Sequence, residues 1–230
     1  MSTDTTLLAD HVCLITVGDA AALDRRESIA GEQLRDALLS TSDDDDVKAI
    51  ILAGLTTGRF AGLVGPQDAH PGTRASYSGT RGLHQVVTYC KKVVIAEVDG
   101  QVGPTASALC LAADFVVSTS QSTFASPFSV PEANYPLAVL TMRANRTKAW
   151  MFRGGELDAR SAYEAGFVNE LVPGKSLRQA TTDLGRRVAL MPLDGLTVSK
   201  MNIGAAFDVI GVGREFDATE ASVAAGGASW

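Results

Sequence analysis

Basic residues, thiols and long apolar runs are all scarce in this chain, and each shortage removes a class of protein. The 20 Lys and Arg are outnumbered by 26 Asp and Glu, which gives a net charge of −6. Nucleic-acid surfaces need clustered Lys and Arg, so neither DNA nor RNA is an expected partner, although a few local Arg residues suffice for an anionic ligand. No stretch approaches the roughly eighteen consecutive apolar residues of a membrane-spanning helix, so no membrane partner is expected. The opening MSTDTTLLAD has acidic and hydroxyl groups where a secretory signal has a positive start and an apolar stretch. Cysteine is rare and odd in number. Cys13, Cys90 and Cys110 lie in apolar or mixed surroundings without C-x-x-C spacing, which reads as buried thiols of a cytoplasmic protein.

Metal and nucleotide signals are missing too. His11, His70 and His84 do not make metal spacing; His11 opens a strand and His84 lies on a helix, so both read as surface or half-buried residues. The acidic run 43–46 lacks the D-x-D-x-D-G pattern of a calcium loop and reads as a solvated turn. Gly54, Gly58, Gly62 and Gly65 are not followed by G-K-[ST], the lysine that a phosphate loop needs. The Gly/Ser-rich stretch 65–82 lies between core strands and reads as an internal loop, so no linker divides the chain.

What remains is one α/β domain with a sizeable core, 46% hydrophobic and 20% charged over 230 residues. Strand and helix patterns alternate, as a layered α/β fold requires. Strands are expected over 12–17, 47–53, 93–98, 115–118 and 167–172. Helices are expected over 31–39, 83–90, from Pro104, 140–152, 159–165 and 177–191, the last with Leu177, Ala180, Leu184 and Val188 on one face.

The segment 93–128, VVIAEVDGQVGPTASALCLAADFVVSTSQSTFASPF, is the most telling. An apolar β-branched strand is broken by Asp99-Gly100 and Gly103-Pro104. A helix of small residues then begins, with proline at the first position, where a missing N–H costs nothing. The first free backbone N–H beyond Pro104 is that of Thr105, at the positive end of the helix dipole, a natural seat for developing negative charge.

From Gly100 to Phe128 this order resembles the crotonase (enoyl-CoA hydratase/isomerase) superfamily without a gap. Residues 47–63, a strand leading to Arg59-Phe60-Ala61-Gly62-Leu63, and residues 154–172, GGELDARSAYEAGFVNELV, are similar to two further family phrases. The resemblance implies the layered ClpP/crotonase β-β-α superhelix, with a core over 1–175. It also implies a helical region over 176–230, shorter than usual, that assembles the chain into a homotrimer or hexamer. It implies an oxyanion hole made by the backbone N–H groups of Leu63 and Thr105. It further implies an acyl-CoA or acyl-carrier-protein thioester as partner, with CoA or phosphopantetheine belonging to the substrate and with no separate cofactor or metal.

The family's two acid/base glutamates fall on Ala108 and Phe128, so paired-glutamate hydration is not expected. The same layout brings His70, whose side chain titrates near neutrality, towards the acyl group, and places Glu132 and Tyr135 along the acyl pocket as alternative proton-handling groups. Arg74 and Arg81 share the loop of His70 and suit a phosphate or carboxylate. Three readings stay open. The first is an enolate enzyme, of which decarboxylation is the reaction least harmed by losing the glutamates, as in the decarboxylating relatives of polyketide β-branching. The second is a non-catalytic thioester-binding or helper homologue. The third is a hydratase or isomerase, with Glu132 as relocated catalyst.

Overall fold

The computed structural model describes residues 3–24, 29–56, 82–130 and 133–224. Nine strands are found among them: β1 (Asp4–Leu7), β2 (Val12–Thr16), β3 (Ala49–Ala53), β4 (Val93–Val98), β5 (Gln101–Val102), β6 (Phe115–Thr119), β7 (Thr123–Ala125), β8 (Glu156–Asp158) and β9 (Glu170–Val172). The helices are α1 (Ala30–Ser42), α2 (Leu83–Thr88), α3 (Pro104–Ala112), α4 (Tyr135–Met142), α5 (Ala144–Arg153), α6 (Ala159–Ala165), α7 (Leu177–Ala189), α8 (Leu193–Ile210) and α9 (Val212–Ala224).

A six-stranded sheet runs β1-β2-β3-β4-β6-β9, and a smaller one runs β5-β7-β8. Within the larger sheet every pairing is parallel except that of the edge strand β1. Parallel strands are covered on both faces, and their near-continuous apolar sequences follow from that. On one face Ile15, Ile50, Leu52, Val94 and Ala96 join Leu34 and Leu38 of α1, Leu83 and Val87 of α2, and Ala106 and Leu109 of α3. On the other, Val12, Ile51, Ile95 and Val117 meet Leu177 of α7 and Leu196 of α8, with Ala180, Leu184 and Val188 packed alongside. That is the stripe predicted for 177–191. Helix α7 comes so close that a Cβ on Gly185 would stand 3.1 Å from Val12.

Two ion pairs fasten this second layer. Glu97, buried near the C-terminal end of β4, accepts from Arg178 Nε at 2.8 Å and Nη2 at 2.7 Å and from the Thr181 hydroxyl at 2.6 Å. Asp114, just after α3, accepts from Lys200 Nζ at 2.6 and 2.5 Å and from the Val94 N–H at 2.8 Å.

The structure departs from the expected elements in three places. The helix expected over 140–152 is two helices, α4 and α5, broken at Arg143 with φ 67°. The Thr147 hydroxyl ties the corner by donating to Ala138 O at 3.0 Å and Arg143 O at 3.1 Å. The strand expected over 167–172 is only β9, because the N–H groups of Phe167 and Val168 both turn back to Ala162 O at the end of α6. The short strands β1, β5, β7 and β8 were not foreseen. The acidic run behaves as a turn: the Asp46 N–H donates to Asp44 Oδ1 at 2.9 Å, and Asp43 meets Lys91 at 2.7 Å on the surface.

Candidate active site

The site forms where β4 hands the chain to α3. The Asp99-Gly100 turn is held by the Thr119 hydroxyl, which donates to Asp99 Oδ1 at 2.7 Å, and by the Gly100 N–H, which donates to Ser122 Oγ at 3.2 Å. Gly103 is the N-cap in extended conformation, with Pro104 at the first helical position. Residues Thr105 through Ala112 are all buried, so α3 is embedded in the protein interior.

The Thr105 N–H is not free, contrary to expectation. It donates to Oδ1 of Asp24 at 2.9 Å; Asp24 ends the short 3₁₀ turn Ala20–Asp24 between β2 and α1. The helix explains the contact: an unpaired donor at a positive helix end draws a carboxyl group when the fold brings one near. The Thr105 carbonyl accepts from Nε2 of His84 at 3.1 Å. Burial raises the Asp24 carboxyl above its ordinary range, while the Thr105 hydrogen bonds and the charge of His84 act to lower it. The second oxygen, Oδ2, is buried and has no hydrogen-bond partner among the described residues.

His84 was expected at the surface or half-buried; it is only 2% exposed, on the core-facing side of α2 with Leu83 and Val87. Sequence reasoning missed Asp24 altogether. Its one signal was an acid closing an otherwise apolar AAALD segment just after a core strand. Helical periodicity around His84 gave a fainter one, since Val87 and Thr88, three and four positions on, are both buried.

Ala108, the first lost-glutamate position, lies on α3 and is 4% exposed. Phe128, the second, sits in the 3₁₀ turn Pro127–Ser129 as part of an aromatic cluster. Its ring stacks on Tyr135 with centroids 5.1 Å apart and meets Trp150 edge-on at 6.0 Å; Trp150 in turn lies 5.5 Å from Phe167. Neither position presents a group that moves a proton. Tyr135 opens α4 beside its N-cap Asn134 and is 39% exposed. Partial burial, and then the charge of Glu215, raise its phenol above the ordinary range. Leu63, His70, Arg74, Arg81 and Glu132 lie outside the described residues, so the convergence expected of Leu63 and Thr105 is not described. Among the described residues no group of three His, Cys, Asp or Glu is placed to hold a metal ion.

A parallel sheet of this order, with a buried proline-started helix after its central strand and a second small sheet alongside, defines a crotonase-type α/β fold. The model of the enoyl-CoA hydratase/isomerase family matches residues 10–211, and the chain belongs to that family. It is 26% identical over 191 residues to the 1,2-epoxyphenylacetyl-CoA isomerase of Escherichia coli (strain K12), covering 76% of this chain and 71% of that one. It is 25% identical over 185 residues to the mitochondrial enoyl-CoA hydratase of Pongo abelii, covering 77% of this chain and 63% of the other. The crystal structure of an enoyl-CoA hydratase/isomerase from Xanthobacter autotrophicus Py2 superposes with a TM-score of 0.78 at 21% identity, over 97% of this chain and 87% of that one.

Proposed function

We propose that this chain acts on an acyl-CoA or acyl-carrier-protein thioester through an enolate, by a reaction that does not need the paired glutamates of a hydratase. Family membership supports the thioester. The observation that carries the choice of chemistry is the pair Ala108 and Phe128, a buried methyl group and a stacked ring where the acid and base would stand. Decarboxylation fits that loss. When a malonyl-type thioester loses CO2 from the carboxylate on its α-carbon, the electron pair of the breaking C–C bond becomes the enolate, and the α-carbon then takes one proton from solvent. No base is needed to make the carbanion. The site's task is to hold the charge on the thioester oxygen, where each well-placed donor is typically worth about 3 kcal/mol. Tyr135, which stacks on Phe128, is the described side chain best suited to act near the acyl group; His70 and Glu132, outside the described residues, are the further candidates from the sequence.

One observation favours a second reading, a thioester-binding or helper homologue without turnover: the carboxyl of Asp24 already sits on the Thr105 N–H that would face the thioester oxygen. Exposed Val198, Met201, Val209 and Ile210 on α8 support assembly through the C-terminal helices, as a trimer or hexamer. Three buried free thiols support a reducing, cytoplasmic setting.

The test is turnover of malonyl-type, β-keto acyl and crotonyl thioesters by the wild type and by Tyr135→Phe and Glu132→Gln. An enolate enzyme releases CO2 from the malonyl-type thioester, the one of the three with a free carboxylate to lose, and hydrates crotonyl-CoA far below the roughly 10 per second ordinary for enzymes. In Tyr135→Phe, turnover falls more than binding does, the pattern of a lost transition-state interaction. No turnover of any of these, with binding intact, leaves the helper reading. Crotonyl-CoA hydration at an ordinary rate refutes both and points to Glu132.

A further inference from the structure

The Asp24 carboxyl poses a problem that the enolate reading must answer. It lies on the one described amide where negative charge would be held. An ionised Asp24 there would repel an enolate. It would also bury a charged oxygen, Oδ2, without a hydrogen-bond partner among the described residues, an unfavourable state for a carboxylate. A neutral carboxylic acid resolves half of this. Its carbonyl oxygen, Oδ1, keeps the Thr105 N–H at 2.9 Å, and its other oxygen becomes an O–H donor that lacks only an acceptor. The missing acceptor is what a thioester oxygen supplies.

We propose that Asp24 is a catalytic residue of this site, a neutral acid that takes the Thr105 N–H on Oδ1 and donates from Oδ2–H to the oxygen of the bound acyl thioester. The inference rests on the thioester reading above and deepens it, because it gives the site an oxyanion donor in place of an occupied amide. The Thr105 N–H polarises the acid, so the helix dipole still acts on the oxyanion, now through Asp24. The proton stays on Asp24 while the enolate forms, and the carboxyl is chemically unchanged at the end. A carboxylic acid held neutral so that it can donate to an oxyanion has a precedent in ketosteroid isomerase, where an apolar setting achieves the same.

The surroundings favour the neutral acid. Burial is the largest influence on the carboxyl and raises it, outweighing the Thr105 hydrogen bonds and the charge of His84 on α2, which lower it. From α3 the neighbour is Thr105, with the neutral Cys110 thiol deeper in the helix and pushed up to about 12. On α1, Arg35 lies 3.6 Å from Asp36 of the same helix.

The experiment measures acetyl-CoA binding by calorimetry for the wild type, Asp24→Asn and Asp24→Ala, together with a carbon-13 carboxyl titration of the ligand-free wild type and Asp24→Asn. Asn keeps an acceptor for the Thr105 N–H and a permanent neutral donor, whereas Ala keeps neither. Wild-type affinity is expected to fall about tenfold or more as pH rises through the raised Asp24 ionisation. Asp24→Asn is expected to bind with equal affinity across the same pH rise, and Asp24→Ala about tenfold more weakly than Asp24→Asn throughout. The carboxyl titration should show one group above the ordinary aspartate range that disappears in Asp24→Asn. Tighter binding by Asp24→Ala than by the wild type at the acid end, where Asp24 is neutral, would make Asp24 a plug and overturn the inference. So would an Asp24 that titrates in the ordinary range, or a wild-type pH dependence that survives in Asp24→Asn; each leaves the thioester reading standing. Wild type that binds no acyl-CoA at any pH overturns both, and that arm separates the two failures.

Discussion

Replacing Lys200 by methionine removes the ammonium from Asp114 while keeping most of the apolar stem. Lys200 and Asp114 have side-chain exposures of 10% and 25%, so the pair is largely withdrawn from water. Charge-assisted hydrogen bonds contribute about 1.5–3 kcal/mol each, and breaking a buried pair by deleting one partner costs about 3–5 kcal/mol. The Val94 N–H remains on Asp114, and a quarter of the Asp114 side chain stays exposed, which argues for the lower end, about 3 kcal/mol. For a chain of this size that corresponds to a loss of about 6–12 °C in Tm. The pH dependence has a definite sign. Burial raises the Asp114 carboxyl, and Lys200 and the Val94 N–H pull it back. Without Lys200 the folded-state pKa rises further above the unfolded value. The penalty is then full above that raised pKa and fades as pH falls through it, so the gap between variant and wild type narrows towards acid. Guanidinium unfolding at neutral and mildly acidic pH measures both effects. A deficit under about 0.5 kcal/mol, or a gap that widens in acid, would refute the assignment of Asp114 and Lys200 as a coupled buried pair.

Two further substitutions probe the scaffold around the site. Gly54 ends β3 with φ 73°, and a Cβ there would stand 2.4 Å from Val17 O, so Gly54→Ala should cost at least about 2 kcal/mol in thermal unfolding; a change within about 0.5 kcal/mol would contradict the described strand end. Asn134 accepts from the Leu137 N–H and donates to Val212 O, each at 2.9 Å, so Asn134→Ala should cost about 1–2 kcal/mol and speed amide exchange at the start of α9. Unchanged protection there would show that the Asn134 side chain does not hold α9.

The parts of the fold that could be read from sequence are those where one local pattern decides the outcome. The β-branched run 93–98 and the proline-started helix from Pro104 match β4 and α3, because Pro104 and the Asp99-Gly100 turn fix both ends by local sterics. Ala108 and Phe128 were informative for the same reason, since side-chain identity alone excludes a proton donor. Asp24 was not legible: its significance depends on Thr105, 81 positions away, and only the packing of the 3₁₀ turn on α3 brings them together. Arg143 misled because its positive φ is imposed by the packing of α4 on α5, and nothing in TMRANR announces a break. The strands β5, β7 and β8 are two or three residues long, too short for an alternating pattern to register.

The strand order has a consequence for biosynthesis. Read across the larger sheet it is β1-β2-β3-β4-β6-β9, and across the smaller one β5-β7-β8, so in both the spatial order is the order of translation. A chain leaving the ribosome can add each strand to the edge laid down just before it, and no finished pairing has to be opened to admit a later one. The cover for the second face comes late. Val12, Ile51, Ile95 and Val117 are sealed by Leu177, Leu184 and Val188 of α7, which is synthesised only after the last strand. A nascent chain stalled before residue 177 therefore carries an assembled sheet with one bare apolar face, and that stage of its synthesis is the one at which it most needs a chaperone.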